Sequence, residues 1–307
     1  MSFYLPIAEM SVNVLVFLSM GAAVGFLSGL FGVGGGFLMT PLLIFSGVPS
    51  AVAVGTEAAQ IVATSVSGAV AQWRRGNVDV KLGVVLLLGG ILGSAIGVQL
   101  VRVLRRLGQF DLFVSATYVT FLGIIGGLML IESINTWRKV AAGKAVAGRK
   151  SGTHTWVHKL PLQMRFKRSK LSMSAIPPFF IGAFVGLLAA IMGVGGGFIM
   201  VPALIYLLRV PTNVVAGTSL FQIVFVTAAT TLLHATFNRT VDVVLAGLLM
   251  AGGVIGAQFG AAAGVKLRGE QFRFFLAALV LVVCARMAYG LISTPGDLFS
   301  ITAAQQG

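Results

Sequence analysis

The feature that most narrows the fold is a phrase written twice. Residues 25–44 read GFLSGLFGVGGGFLMTPLLI and residues 186–205 read GLLAAIMGVGGGFIMVPALI; Gly32, Val33, Gly34, Gly35, Gly36, Phe37, Met39, Pro41 and Leu43 all recur 161 positions later. After a one-residue slip, Pro49, Gly55, Thr56, Gln60 and Ile61 match Pro211, Gly217, Thr218, Gln222 and Ile223. After another, Asp79, Gly89, Gly90, Gly93 and Gly97 match Asp242, Gly252, Gly253, Gly256 and Gly260. Such long-period self-similarity marks two homologous halves. They are placed at 10–133 and 175–293, with a basic linker at 134–174 and a C-terminal tail at 294–307.

The runs between these signals are apolar throughout. Only 10% of the residues are charged and the mean hydropathy is +0.98, whereas a soluble domain carries about 25% charged residues to wet its surface. The chain therefore reads as an all-α polytopic membrane protein, because an open sheet cannot satisfy its backbone in lipid. That excludes a soluble enzyme, a secreted disulfide scaffold and a DNA-binding domain. The net charge of +14 does not indicate nucleic acid: ten of the 22 Lys and Arg lie between Trp137 and Ser174, and the remaining chain carries only +4. Cys284 is the single cysteine, so no intramolecular disulfide or thiolate metal site is available. Met1–Met10 contains Glu9 and no Lys or Arg, unlike a cleavable signal, and the first apolar segment is expected to stay in the mature protein.

Each half divides at the same signals. Apolar helices at 12–31 and 177–192 run to the glycine cluster, and short pieces at 37–47 and 198–208 follow. These pieces are too short to cross a core of about 30 Å upright. Polar helices at 51–73 and 213–236 come next, then plain apolar pairs at 80–102 with 110–131 and 242–265 with 272–292. The expectation is eight to ten membrane elements. With the linker cytoplasmic, an odd number of crossings per half makes the repeats inverted and puts Arg74, Arg75, Lys81, Lys266, Arg268 and Arg273 inside. This obeys the positive-inside bias better than parallel repeats, although Arg102, Arg105 and Arg106 violate it.

Consecutive glycines weaken a helix by about 1 kcal/mol each relative to alanine, so GVGGG should break it. Backbone freed at membrane depth must be buried in protein or line a cavity. The amides of Gly34, Gly35, Gly36 and Phe37 would then sit at the start of a half-helix, as would those of Gly195, Gly196, Gly197 and Phe198. Such ends attract anions. Pro41 and Pro202 are expected near the first turn of these pieces, where a missing N–H costs little. Close helix contact is the competing reading for the clusters, and it is the preferred one for Gly89, Gly93 and Gly97 and for Gly252, Gly256 and Gly260.

Thr56, Glu57, Gln60, Thr64 and Ser67 share a helical face by spacing, as do Thr218, Ser219, Gln222 and Thr230. Polar groups in a bilayer face a pore or a partner, so these residues either line a substrate site or tie helices together. Glu57, replaced by Ser219 in the second half, is the only acidic residue well inside a span. Burial disfavours an ionised carboxylate, which makes Glu57 a proton-coupling candidate; otherwise it is solvated at a helix mouth. His234 is read as an interfacial hydrogen-bonder. No metal motif or cofactor motif is present.

The duplicated GVGGG with a following Pro, then VP-x-x-A-x-GT and a Gln, resembles the sulfite exporter (TauE/SafE-type) family of membrane permeases. The likeness spans both halves: Gly32 to Gly36 with Pro41, Pro49, Gly55 and Thr56, and Gly193 to Gly197 with Pro202, Pro211, Gly217, Thr218 and Ser219. The chain departs from the common GTS by reading Gly55-Thr56-Glu57, and its basic linker is unusually long. The resemblance implies a secondary permease for a small anion such as sulfite or sulfoacetate, residing in the plasma or bacterial inner membrane and using no cofactor. Its expected partners are that anion and the bilayer, with the linker near anionic headgroups and no nucleic acid involved. An intramembrane hydrolase pairing Ser219 with His234 is opposed by their 15-residue separation along one helix, about 22 Å of rise. A cation carrier using Glu57 is the remaining alternative.

Overall fold

The computed structural model describes residues 2–31, 36–141, 161–166, 168–169, 171–264 and 269–293. Gly34 and Gly35, most of the linker, Lys266, Arg268 and the tail at 294–307 lie outside the described residues. In chain order the elements are β1 (Ser2–Leu5), β2 (Met10–Asn13), α1 (Val14–Phe31), α2 (Gly36–Phe45), α3 (Ser50–Arg74), α4 (Val80–Arg106) and α5 (Phe110–Ala141). They continue with β3 (Gln163–Phe166), β4 (Leu171–Ser174), α6 (Ile176–Met192), α7 (Gly197–Tyr206), α8 (Thr212–Leu233), α9 (Val243–Gly264) and α10 (Gly269–Ile292), with a π-helical turn at His234–Asn238 closing α8. The protein is helical and polytopic. Five described helices are long and apolar enough to cross a membrane.

Helix limits follow the signals read from the sequence. Pro49 and Pro211 immediately precede α3 and α8, because a proline fixes φ and starts a helix without needing a donor. Asp79 caps α4 by accepting from the Leu82 amide at 3.3 Å, and Asp242 caps α9 by accepting from the Val244 and Leu245 amides, both at 3.0 Å. The helices that flank the loops run further than the apolar patterns suggested: α4 continues to Arg106 and α5 to Ala141. Their polar last turns project past the apolar stretch that periodicity detects.

The two β-hairpins were not anticipated. Ser2 pairs with Asn13 and Leu5 with Met10, while Gln163 pairs with Ser174 and Phe166 with Leu171. These pairs are separated by the same 161 residues as the glycine phrases. Each hairpin buries one side of its second strand, through Val12 and Met173, and each has a fully buried apolar residue closing its first strand, Leu5 or Phe166.

Glycines determine which helices touch. A Cβ on Gly89 would strike the Phe179 carbonyl, and one on Gly93 the Ala183 carbonyl, so α4 lies directly against α6. Gly252, Gly256 and Gly260 of α9 face Leu18, Ala22 and Phe26 of α1 in the same way. Small residues let backbones approach closely where lipid supplies no hydrophobic drive. Successive contacts also give the sense of each pair. Gly182 and Gly186 of α6 meet Leu86 and Gly90 of α4, and Gly21 and Gly29 of α1 meet Leu249 and Ala257 of α9, so both pairs run parallel. Ile61 and Thr227 both approach Gly195, whereas Gly68 meets Leu220, so α3 and α8 run antiparallel. Gly123 and Gly126 of α5 meet Cys284 and Val280 of α10, again antiparallel.

The two ends of the bundle are distinct. At one end Arg168, in the β3–β4 turn, lies beside Gly76 of the α3–α4 turn. At the other, Ile7 of the β1–β2 turn donates to Asp242, and Arg105 Nη1 donates to the Asn238 carbonyl at 3.0 Å. The 27-residue α4 separates these ends, a length of about 40 Å.

Candidate functional site

The second glycine cluster interrupts the backbone between α6 and α7. α6 ends at Met192; Gly193, Gly195 and Gly196 then adopt φ of 72°, 69° and 78° before α7 begins at Gly197. A Cβ is strained at such angles, and here it would also collide. At Gly193 it would lie 2.8 Å from the Val54 Cα, and at Gly195 2.7 Å from Ile61 Cγ2. The first intrahelical bonds of α7 run from the Ile199 and Met200 amides to the Gly196 carbonyl, at 3.1 and 2.8 Å. The amides of Gly197 and Phe198 therefore have no acceptor within their own helix. α7 has ten residues, about 15 Å, half the thickness of the hydrocarbon core.

The start of α2 meets the second cluster. A Cβ on Gly36, the first residue of α2, would sit 2.9 Å from the Val194 carbonyl, and the rings of Phe37 and Phe198 stack with centroids 4.6 Å apart. Ile61 of α3 touches both Gly36 and Gly195. Pro41 and Pro202 stand at the sixth residue of α2 and α7, not near the first turn. There a missing N–H does matter: it removes the helical donor that would have served the carbonyl of Phe37 or Phe198.

Ile61 of α3 and Thr227 of α8 reach this junction, and the polar residues Thr56, Glu57, Gln60, Thr218, Ser219 and Gln222 of the same two helices are all buried. Their roles divide in a way that spacing could not show. The hydroxyl of Thr56 accepts the backbone N–H of Asp242 at 3.0 Å, and the hydroxyl of Thr218 accepts that of Asp79 at the same distance. Each threonine thus supports the helix cap of the opposite half. Ser219 Oγ donates to the Ala216 carbonyl one turn back at 3.2 Å.

The two glutamines differ. The side-chain amide of Gln60 lies 2.6 Å from both Glu57 carboxyl oxygens; with its nitrogen turned to them it donates to the ionised carboxylate, and with its oxygen turned to them it accepts from the neutral carboxyl. Among the described residues Gln222 has no hydrogen-bond partner for either amide atom, although it is completely buried. Each glutamine lies against a glycine of the other half, Gln222 beside Gly90 and Gln60 beside Gly253. Glu57 is likewise fully buried and not solvated at a helix mouth. Neutral, it can give or share a proton; ionised, it would place a charge in low dielectric at high cost.

Tyr118 and Thr40 were missed by the sequence reading. Tyr118, on α5 and fully buried, donates its hydroxyl to the Met192 carbonyl at 2.5 Å, the last residue before the break. Thr40 places a buried Oγ1 near Gly193. A tyrosine within a run already containing Thr117 and Thr120 offered no pattern to single it out. His234 holds the opposite side of α6: its Nε2 lies 3.0 Å from the Ala190 carbonyl and its Nδ1 3.1 Å from Asn238 Nδ2. Its ring is committed to these contacts.

The sequence profile described as sulfite exporter TauE/SafE matches residues 17–287. A probable membrane transporter protein of Bacillus subtilis (strain 168), YjnA, is 27% identical over 273 residues, covering 89% of this chain and 98% of its own length. A probable membrane transporter protein of Xylella fastidiosa (strain 9a5c) is 29% identical, covering 92% and 98% respectively. Family protein 5 of the sulfite exporter TauE/SafE group in Arabidopsis thaliana is 28% identical over 138 residues, covering 42% of this chain and 29% of its own. No solved structure matches.

Proposed function

The chain belongs to the sulfite exporter TauE/SafE family and is a multi-pass membrane transporter, not an enzyme; from that premise we propose that its cargo is a small sulfur-containing or organic anion, such as sulfite or sulfoacetate. The anion rests where the two helix breaks abut, between Gly36–Phe37 and Gly195–Phe198, with Gln222 reaching it from α8. The observation that carries this reading is the Gln222 amide, buried with both polar atoms unpaired. A native interior rarely tolerates two such orphans without a missing partner. The starts of α2 and α7 supply further N–H groups and the positive end of the dipole, so an anion is held without a buried cation.

Thr56 and Thr218 act here by positioning α9 and α4, and Gln60 by holding Glu57. An ionised Glu57 would repel the cargo, so anion entry is coupled to protonation of this carboxyl, and proton and anion cross together. The parallel pairing of α1 with α9 and α4 with α6, and the antiparallel α3 and α8, support two inverted repeats whose unit includes the preceding hairpin. In such an arrangement a midplane site is exposed alternately to each side by rocking of one bundle against another. With the linker cytoplasmic, the Arg168 and Gly76 end faces inward.

The test is uptake into proteoliposomes against a panel of sulfite, sulfoacetate, sulfate and carboxylates, with and without a pH step. Glu57→Gln should abolish pH-driven uptake and keep anion exchange. If no anion moves and none protects the protein against heat, the reading fails. A cation-carrier reading has one observation in its favour, the Phe37 and Phe198 carbonyls left without helical donors by Pro41 and Pro202. On that reading Glu57→Gln loses cargo binding altogether.

A further inference from the structure

A second site lies at the hairpin end of the bundle, remote from the helix breaks. Between the α3–α4 turn and the β3–β4 turn is a cavity of about 330 Å³, whose walls include Trp73, Gly76, Asp79, Lys81 and Arg168. Its size falls within the range of about 300–1,000 Å³ typical of small-molecule sites. Arg168 is brought there by the turn: the Ser169 amide and hydroxyl both donate to Asp79 Oδ2 at 2.9 Å, which pins the hairpin to the cap of α4. That leaves the guanidinium over Gly76, where a Cβ would lie 3.2 Å from Arg168 Nη1.

The charges in this cavity do not cancel one another. Asp79 is its one carboxylate, and both oxygens are occupied, Oδ1 by the Leu82 amide and Oδ2 by Ser169. Among the described residues neither Lys81 nor Arg168 has an ion-pair or hydrogen-bond partner. Trp73 supplies an aromatic wall and is 53% exposed, as expected of a ring at headgroup level. The repeat-equivalent positions at the opposite end of the bundle lack these groups. Ile7 stands 161 residues before Arg168, Val244 stands 163 after Lys81 and Ala235 stands 162 after Trp73. Whatever binds here binds on one face of the membrane only.

We propose that the Trp73–Lys81–Arg168 cavity binds a phosphate group from the side of the membrane that carries the linker hairpin. Two convergent cations with five or more available N–H donors suit a tetrahedral oxyanion. An apolar wall at the interface suits a headgroup with acyl chains below it, and basic pockets between helices on the cytoplasmic side take anionic headgroups. Occupancy would clamp the β3–β4 hairpin to the α3–α4 turn, and so to the Asp79 cap that Thr218 of the other half supports.

The experiment replaces Trp137 and Trp156 with Phe in the full-length chain, leaving Trp73 as the only tryptophan. Its fluorescence is titrated in detergent with inorganic phosphate, with short-chain phosphatidylglycerol and with short-chain phosphatidylcholine. A saturable change is expected with phosphatidylglycerol, weakening as salt is raised. The double substitution Lys81→Gln with Arg168→Gln should weaken it by about 10-fold, the effect of removing two partly exposed charge contacts, while Arg168→Lys retains most of it. Saturation by inorganic phosphate with equal affinity assigns a soluble anion to the cavity; response to phosphatidylglycerol alone assigns the lipid. No saturable change with either probe, or unchanged affinity in a double variant that keeps the parent's melting temperature, overturns the proposal.

Discussion

Replacing Gln222 with methionine isolates the feature on which the anion site depends. Methionine matches glutamine in length and volume, fits beside Gly90 and Val226, and carries no group that needs a hydrogen bond. In the substrate-free protein both Gln222 amide atoms are buried and unpaired, and each such atom costs about 1–3 kcal/mol of desolvation. Removing them should stabilise the empty transporter by about 1–3 kcal/mol, after allowing for imperfect repacking. That corresponds to a rise of roughly 1.5–5 °C in melting temperature for a chain of this length. The symmetry-related change Gln60→Met should act in the opposite direction, because it strips Glu57 of the amide that lies 2.6 Å from both carboxylate oxygens. A loss of about 1–3 kcal/mol is expected. Thermal unfolding of both variants in nanodiscs, without substrate, reads the two signs. Uptake in proteoliposomes should be lost in Gln222→Met despite its greater stability. If Gln222→Met melts below the wild type, or transports normally, then the amide is satisfied in some other way and does not meet the cargo.

Three further outcomes follow from the packing. Thr218→Val and Thr56→Val each leave a buried Asp N–H without its acceptor and should cost about 1–3 kcal/mol. The two act at opposite ends of the bundle, so their effects in chemical unfolding should add to within about 0.5 kcal/mol. Gly93→Ala forces a methyl onto the Ala183 backbone and should destabilise by about 1–3 kcal/mol. Gly127→Ala, with nothing within 4 Å of the new methyl, should be neutral or gain up to about 1 kcal/mol. Tyr118→Phe leaves the Met192 carbonyl without its donor and should cost about 1 kcal/mol, measurable by melting, with a raised KM for transport if the α6 terminus shapes the site.

Much of the architecture was legible in the chain. Hydropathy and the scarcity of charge are local properties, and in lipid they leave the helix as the economical element, so the positions of α1 to α10 could be read from apolar runs, prolines and glycine clusters. The repeat could be read for the same reason: identical neighbours demand the same local geometry. The packing role of Gly89, Gly93 and Gly97 was also visible, since a spacing of four keeps one helix face bare.

Tertiary structure decided which half serves which. Thr56 and Thr218 looked equivalent to Gln60 and Gln222 by spacing, yet their hydroxyls are taken by Asp242 and Asp79, residues 186 and 139 positions away. Gln60 and Gln222 looked equivalent to each other, yet one is paired with Glu57 and the other with nothing among the described residues. The hairpins, and the cations that the second of them delivers beside Gly76, gave no periodic signal because strands of four residues are too short to show one. A hydrogen bond between distant residues depends on how helices cross, and that is determined by close approach of backbones at many glycines together. No single stretch of sequence contains that information.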